Sequence, residues 1–163
     1  MNIFYLSHNT KKCAQEHVDK HVVKMILEYA QLLSTAHRVL DPVPQNGQLL
    51  YASTHANHPS AKWARSSKGA YEWLYSLFCE LSNEYTYRYR KQHLTYSKLK
   101  DVLKLFPQNI EDTIWTAPTP AMPDECKVDN NSLLSYRNYY NSGKQHLAVW
   151  SRRDKPTWYI KKE

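Results

Sequence analysis

The segment from Asp19 to Leu40 carries the apolar pattern of a helix that neighbours cover on most sides. Apolar residues recur every three or four positions along one flank, which is the repeat of an α-helix, and Val23, Leu27 and Ala30 continue them onto the far side. Only about a third of the circumference remains for polar groups. The segment therefore predicts a long and largely buried helix, which favours an α-helical architecture for the whole chain.

The narrow polar strip of this helix, which we call the polar seam, holds an unusual set of side chains: His17, His21, Lys24, Glu28, Gln31 and Thr35. Solvated helix faces are rich in Glu, Lys and Gln, and an ordinary solvated face is one interpretation of the seam. Two imidazoles, an ammonium and a carboxylate in line are instead typical of acid–base chemistry. We expect the seam to converge on a pocket beside the start of the chain.

Helical periodicity and capping residues indicate one domain, residues 1–163, with helices at 10–40, 59–91, 97–105 and 130–150. Thr10 is the predicted N-cap of the first helix, Pro42 follows its end, and Gly143 disturbs the last one. A proline-rich passage, residues 116–125, cannot be regular helix. The expected fold is mainly α: three long helices and a shorter one, an irregular proline-rich loop and a C-terminal aromatic tail.

Composition narrows the classes of function. The chain has 22 lysines and arginines against 15 acidic residues, a net charge of +7, which favours a polyanionic partner such as nucleic acid. Only three glycines are present, and neither phosphate-binding glycine motif occurs, which argues against nucleotide-driven enzymes. Three scattered cysteines do not suggest a disulfide framework, and no signal peptide or membrane span is visible. We therefore expect a soluble cytoplasmic protein with no membrane partner.

Basic and aromatic residues alternate in several segments, and this mixture suits deformed or flipped nucleic acid because cations hold phosphates while aromatic faces accept a base. The alternative interpretation is that these tyrosines pack in the protein core, which is as common for tyrosine-rich segments as stacking on bases. At the start of the second helix we expect a helix cap, and phosphate binding in addition is a second interpretation of the same residues. The candidates for contacts with nucleic acid are His17, Lys24, His58, Lys62, Arg65, Arg137, Lys144, Arg152, Arg153, Trp158 and Tyr159.

A metal site is the weaker interpretation of the seam. Cys13, His17 and His21 follow one another at four-residue spacing, which zinc could use. However, the chain contains no HExxH or CxxC pattern, and Lys24 would repel a cation. We expect no metal and no cofactor.

Three short motifs follow one another along the chain. They are Asp19-Lys20-His21 with Glu28 seven residues after the histidine, Asn57-His58-Pro59 at the second predicted helix, and Pro156-Thr157-Trp158-Tyr159 near the C terminus. No single motif is specific. Their shared order and spacing resemble the pyrimidine-dimer DNA glycosylases of the phage endonuclease V type, with this chain as a divergent member.

The resemblance implies a helical protein that kinks duplex DNA at a lesion and expels a base. It implies that the N-terminal α-amine attacks the sugar C1′ to form a Schiff base, with Glu28 as the essential carboxylate and His21 as its neighbour. An α-amine loses its proton at lower pH than a lysine, so it is a usable nucleophile. Because Asn2 is larger than the residues from which an initiator methionine is usually removed, the candidate amine is that of Met1. Leu27 stands beside Glu28 where the family has an arginine.

We therefore predict a DNA glycosylase acting on damaged or modified pyrimidines, with AP-lyase activity as a second step and double-stranded DNA as the first-choice partner. Two alternatives remain open from the residues alone. One is a nucleic-acid-binding protein without catalysis on the same scaffold, and the other is an enzyme that acts on free nucleotides. The sequence leaves the oligomeric state and the lesion open.

Overall fold

A computed structural model describes residues 1–160 of the chain. Within this range the chain forms no strand and six α-helices: α1 (Thr10–Glu16), α2 (Asp19–Leu40), α3 (Pro59–Ala64), α4 (Lys68–Tyr89), α5 (Leu94–Leu103) and α6 (Ser132–Ser142). Two short 3₁₀ turns, Asp124–Cys126 and Gln145–Leu147, flank α6. The helical fold class predicted from the sequence is confirmed.

Helix α2 lies at the centre of the fold, since α3, α4 and α5 all pack against it. Its inner side chains, Val22, Ile26 and Leu33 among them, have no solvent exposure. Burying one such side chain stabilises the fold by about 1.5–3 kcal/mol. The far side is less covered than the sequence predicts, because Val23 and Leu27 remain 44% and 40% exposed.

The first predicted helix is divided into α1 and α2. The backbone is extended at His17 and Val18, and Asn9 rather than Thr10 is the N-cap of α1. The prediction of one continuous helix is therefore wrong. The break is stabilised by Arg88 of α4, whose guanidinium donates hydrogen bonds to the carbonyls of Gln15 and His17. These carbonyls would otherwise be unsatisfied at the end of a helix.

The second predicted helix is also divided, into α3 and α4, and the last is shorter than predicted. Ser67 begins α4 as its N-cap and accepts a hydrogen bond from the backbone N–H of Ala70. Helix α6 ends at Ser142, and Gly143 follows as its C-cap. A Cβ atom at Gly143 would lie 2.6 Å from the ring of Tyr139, so a larger residue would displace that ring.

Both ends of the described chain return to α2. Residues 3–6 run through the core with at most 6% exposure, which brings Met1 alongside the helix. The carbonyl of Val149 accepts a hydrogen bond from the backbone N–H of Asp19, and Ser151 donates to the carboxylate of Asp19. None of the helices between residues 1 and 160 combines the length and the apolar character that crossing a bilayer requires.

Candidate active site

A pocket of about 160 Å³ lies where the first residues of the chain pass the middle of α2. It brings together the start of the chain, three residues of the polar seam and two residues at the end of α6. Its lining is formed by Met1, Asn2, Phe4, His21, Lys24, Met25, Glu28, Tyr139 and Lys144. The sequence analysis did not single out Asn2, Phe4 or Tyr139 as pocket residues.

The chemical centre of the pocket is a pair of opposite charges. The Oε1 atom of Glu28 lies 3.4 Å from the α-amino nitrogen of Met1, and its Oε2 atom lies 3.9 Å from Nζ of Lys24. The Glu28 side chain is only 13% exposed, whereas that of Lys24 is 72% exposed. Water screens the lysine more than the amine, so the stronger interaction is between Glu28 and the α-amine. At this distance Glu28 can accept the proton that the amine must lose before it attacks a carbon atom.

His21 presents one ring nitrogen to the pocket and uses the other in the interior. Its Nδ1 lies 2.7 Å from the hydroxyl of Tyr140, which already accepts a hydrogen bond from the backbone N–H of Val18. The hydroxyl proton of the buried Tyr140 then has Nδ1 as its acceptor, which leaves the proton of a neutral imidazole on Nε2. Burial lowers the pKa of His21 to about 2, and the charges of His17 and Lys144 act in the same direction. His21 is therefore a neutral N–H donor at neutral pH.

His17 lies in the interior and not on the polar seam, so its predicted place there is wrong. Its Nδ1 donates to the carbonyl of Cys13, and its Nε2 accepts from the hydroxyl of Tyr29, which itself accepts from the backbone N–H of Phe4. Both ring nitrogens are used, and the residue has no exposure, so it cannot reach a phosphate. The physical reason is the break before α2, which removes His17 from the helix. Its role is to hold Phe4, and with it the start of the chain, against α2.

The buried histidines His17 and His21 make the fold sensitive to acid, and buried His37, whose pKa burial also lowers, acts in the same direction. Burial lowers the pKa of His17 to about 3 and that of His21 to about 2, from 6.5 in each case. Between pH 6.5 and about 3 the unfolded chain therefore binds protons that the folded chain does not. We expect the free energy of unfolding to fall with decreasing pH, by up to about 1.4 kcal/mol per pH unit for each histidine.

Urea unfolding at several pH values between 7.5 and 4.5 measures this slope. A His17→Gln variant should show a slope that is shallower by about one proton, whatever its stability at pH 7. A midpoint that stays constant between pH 7 and pH 5 would contradict the prediction.

Metal binding by the cysteine and histidines of this region finds no geometric support. The thiol of Cys13 is buried and donates to the carbonyl of Phe4, and His17 uses both of its nitrogens. Across residues 1–160, no three His, Cys, Asp or Glu side chains converge in a manner that suits a metal ion.

His58 adjoins the pocket, but its neighbours on α3 do not converge with it. His58 is the N-cap of α3, and its Nδ1 accepts from the backbone N–H of Ser60. Burial lowers its pKa, the Met1 amino group lowers it further, and Glu28 opposes that change. Helix α3 has only six residues, so its dipole is too small to be an argument for phosphate binding.

The two cations predicted beside His58 occupy other places. Lys62 is exposed on a separate groove of about 400 Å³, which it lines together with Asn57 and Trp63. Arg65 caps the C-terminal end of α3, and its Nη1 atom is buried without a hydrogen-bond partner in the described part of the chain. Arg65 therefore does not join the predicted cluster at the helix N-terminus, whereas Lys62 shares a groove with Asn57 there.

Two arginines predicted to contact nucleic acid are engaged inside the protein. Arg137 donates from two nitrogens to the carbonyl of Leu6 and lies over the ring of Trp158, 5.2 Å from its centre. Arg153 donates to both carboxylate oxygens of Glu84. Their charges stabilise the chain around the C-terminal tail, which the sequence analysis did not foresee.

The remaining tail residues divide between packing and exposure. Trp158 is half-buried against the core, and the ring of Tyr159 meets that of Trp150 edge-on at 4.9 Å. Arg152 is exposed and lines a separate groove of about 640 Å³ with Lys12 and Lys155. In the part of the tail that the structure describes, this groove keeps the exposed basic character that the sequence pattern predicts.

Lys144 gives the pocket a positive excess. It is half-buried, and its Nζ lies 5.1 Å from the ring centre of Tyr139. Together with the Met1 amine and Lys24, it provides three cations against the carboxylate of Glu28. Such a balance is suited to a phosphate or another anionic group.

The chain matches one protein-family model over its first part. Residues 1–97, more than half of the 163 residues, match the family model described as pyrimidine dimer DNA glycosylase. The matched part includes Met1, His21 and Glu28, whereas Tyr139 and Lys144 lie outside it. No curated protein and no solved structure matches the chain.

Proposed function

The chain belongs to the pyrimidine dimer DNA glycosylase family, and on this premise we propose that it breaks the N-glycosidic bond of a damaged or modified pyrimidine nucleotide in double-stranded DNA. The observation that supports the proposal most directly is the α-amino nitrogen of Met1 at 3.4 Å from the carboxylate of Glu28. An amine and a proton acceptor at the same pocket are what nucleophilic attack on a sugar carbon requires.

In the proposed reaction, Glu28 takes a proton from the Met1 ammonium, and the free amine attacks C1′ of the damaged nucleotide. The C1′–N bond of the base breaks as the new C1′–N bond forms, and the base leaves with the electron pair and takes up the proton that Glu28 had accepted. One proton of the new secondary ammonium then moves to the ring oxygen O4′ as the C1′–O4′ bond breaks, which yields a protonated Schiff base between C1′ and the amine. The Glu28 carboxylate stabilises this positive charge.

Strand cleavage is the proposed second step. Loss of a proton from C2′ moves its electron pair into a C2′–C3′ double bond, and the C3′–O bond breaks with the phosphate as leaving group. Hydrolysis of the Schiff base then returns the amine. Glu28 is the carboxylate in reach of the Schiff base nitrogen and serves as the proton acceptor of this step.

The other pocket residues are assigned to binding. His21 donates a hydrogen bond from Nε2 to the sugar or the leaving base, because its low pKa keeps the ring neutral. Lys24 and Lys144 bind the phosphates on either side of the reacting nucleotide. The exposed cations Lys12, Lys62, Arg152 and Lys155 contact the DNA backbone farther away.

Trapping with borohydride tests the proposed chemistry. Incubation with a duplex that contains a damaged pyrimidine should break its glycosidic bond and, with borohydride, link the DNA covalently to the N-terminal peptide. A singly damaged base is released, whereas the base of a cyclobutane pyrimidine dimer stays attached to its neighbour through the cyclobutane ring, so for that duplex the adduct and the strand break are the readouts. Chemical acetylation of the α-amine, verified by intact mass, should abolish the adduct, and an undamaged duplex should give none. Binding to damaged duplexes with neither base release nor adduct would contradict the proposal and favour the non-catalytic alternative.

A further inference from the structure

We infer that Asn2 and Tyr136 are positioning residues that hold the Met1 α-amino group in front of Glu28. The inference rests on the proposed function, because it concerns how the proposed nucleophile, the Met1 amine, is oriented. Asn2 is joined to Met1 directly, so a fixed Asn2 side chain restricts the backbone that carries the amine.

Both ends of the Asn2 amide are held. Its Nδ2 donates to the carbonyl of Ala121 at 2.7 Å, and its Oδ1 accepts from the hydroxyl of Tyr136 at 2.7 Å. The same Oδ1 accepts from the backbone N–H of Ile3 at 2.9 Å. A side chain with three such bonds has one rotamer, and the attached residue loses most of its freedom.

The Tyr136 hydroxyl joins three parts of the molecule at one point. It accepts from the backbone N–H of Ala121 at 3.3 Å and lies 3.1 Å from the carbonyl of Thr119, in addition to its bond with Asn2. Tyr136 has no solvent exposure, and burial raises its pKa, so its hydroxyl remains a donor at any working pH. The proline-rich passage and α6 thereby hold the N-terminus from the side opposite α2.

This arrangement explains the residue at position 2. Asparagine is larger than the residues from which a preceding methionine is usually removed, and its amide reaches partners on both Ala121 and Tyr136. Both partners lie outside residues 1–97. Residues from the later half of the chain therefore orient a nucleophile that belongs to the part matched by the family model. A reacting atom displaced by about 1 Å can lose about 10²-fold in rate.

Two variants test the inference without changing the catalytic groups. Asn2→Leu keeps the size of the side chain and the retention of Met1, which intact mass verifies, but removes all three hydrogen bonds of the amide. Tyr136→Phe removes only the hydroxyl. With saturating damaged duplex, each should slow adduct formation by about 10- to 100-fold with little change in KM. The rate of adduct formation in the double variant should be little lower than in the slower single variant, since both substitutions remove the same contact.

Tyr71→Phe is the matched control. Tyr71 is another fully buried tyrosine, and its hydroxyl bonds to His37 and the carbonyl of Leu103, far along the chain from the N-terminus. This variant should lower stability and leave the rate at saturating duplex unchanged. Equal rate losses in Tyr71→Phe and Tyr136→Phe would overturn the inference, as would unchanged rates in folded Asn2→Leu and Tyr136→Phe proteins that retain Met1.

A second measurement separates this inference from the proposed function. The α-amine of the DNA-free protein can be acylated with acetic anhydride at neutral pH and followed by the mass of the N-terminal peptide. Both test variants should react several-fold faster than the wild type, because the freed amine leaves Glu28 more often. Unchanged acylation rates would overturn the positioning role. A wild type that forms no adduct while these rates rise would instead place the failure in the proposed function.

Discussion

Replacing Glu28 with glutamine is expected to slow base release and adduct formation by about 10²–10⁴-fold, the usual contribution of a positioned acid–base group. Glutamine has almost the same shape, but it can neither accept the proton of the Met1 ammonium nor oppose the charge of the Schiff base. The loss should appear in the rate at saturating DNA. The affinity for DNA should not fall and should stay within a few-fold of the wild type, because the substitution removes a negative charge that repels the phosphates.

Single-turnover rates on a damaged duplex, together with binding measurements over a range of salt concentrations, check this expectation. Glu125→Gln is the matched control, since Glu125 is exposed in the proline-rich passage and outside the pocket. That variant should behave as the wild type in both measurements. If Glu28→Gln kept the wild-type rate, the assignment of Glu28 as the catalytic carboxylate would be wrong.

Replacing Arg88 with alanine is expected to lower the free energy of unfolding by about 3–5 kcal/mol. The guanidinium of Arg88 has no exposure and forms ion pairs with Asp19 and Glu84, each at 2.9 Å. It also donates to the carbonyls of Gln15 and His17, where α1 gives way to α2. Its removal leaves the buried carboxylate of Glu84 and the partly buried one of Asp19 with fewer partners and two carbonyls without a donor, and both effects favour the unfolded chain.

Urea unfolding at pH 7 measures the difference. Arg152→Ala is the control, because Arg152 is exposed and its guanidinium has only one backbone hydrogen bond and a ring contact with Tyr87. It should cost less than about 1 kcal/mol. A similarly small cost for Arg88→Ala would show that the junction of α1 and α2 is stabilised by other contacts.

Local pattern was sufficient for the main features of α2. The predicted end at Leu40 is that of the observed helix, because apolar spacing and the proline that follows are properties of neighbouring residues, whereas the start at Asp19 lies inside the continuous helix that was predicted for residues 10–40. His21 and Glu28 are seven residues apart, about two helical turns, so a shared face follows from helix geometry alone. The positive excess of the chain also follows from composition.

Long-range contacts account for the features that were missed. In the sequence, an arginine that binds a phosphate cannot be distinguished from one that, like Arg137, donates to a backbone carbonyl, here that of Leu6. Likewise, no residue near His17 in the sequence indicates that Arg88 will donate to the free carbonyls at the end of α1. Such partners are distant in sequence, and only packing decides whether a charge faces solvent or a buried carbonyl.

The sequence by itself determined which residues share a helix face and that cations outnumber acids, since both depend on local geometry and on counting. Only the tertiary structure decided that His17 is interior, that Tyr136 holds Asn2, and that Tyr139 and Lys144 complete the pocket. The reason is physical. Hydrogen-bond periodicity acts over four residues, whereas the pocket joins atoms more than a hundred positions apart, and burial in a common core is what brings them together.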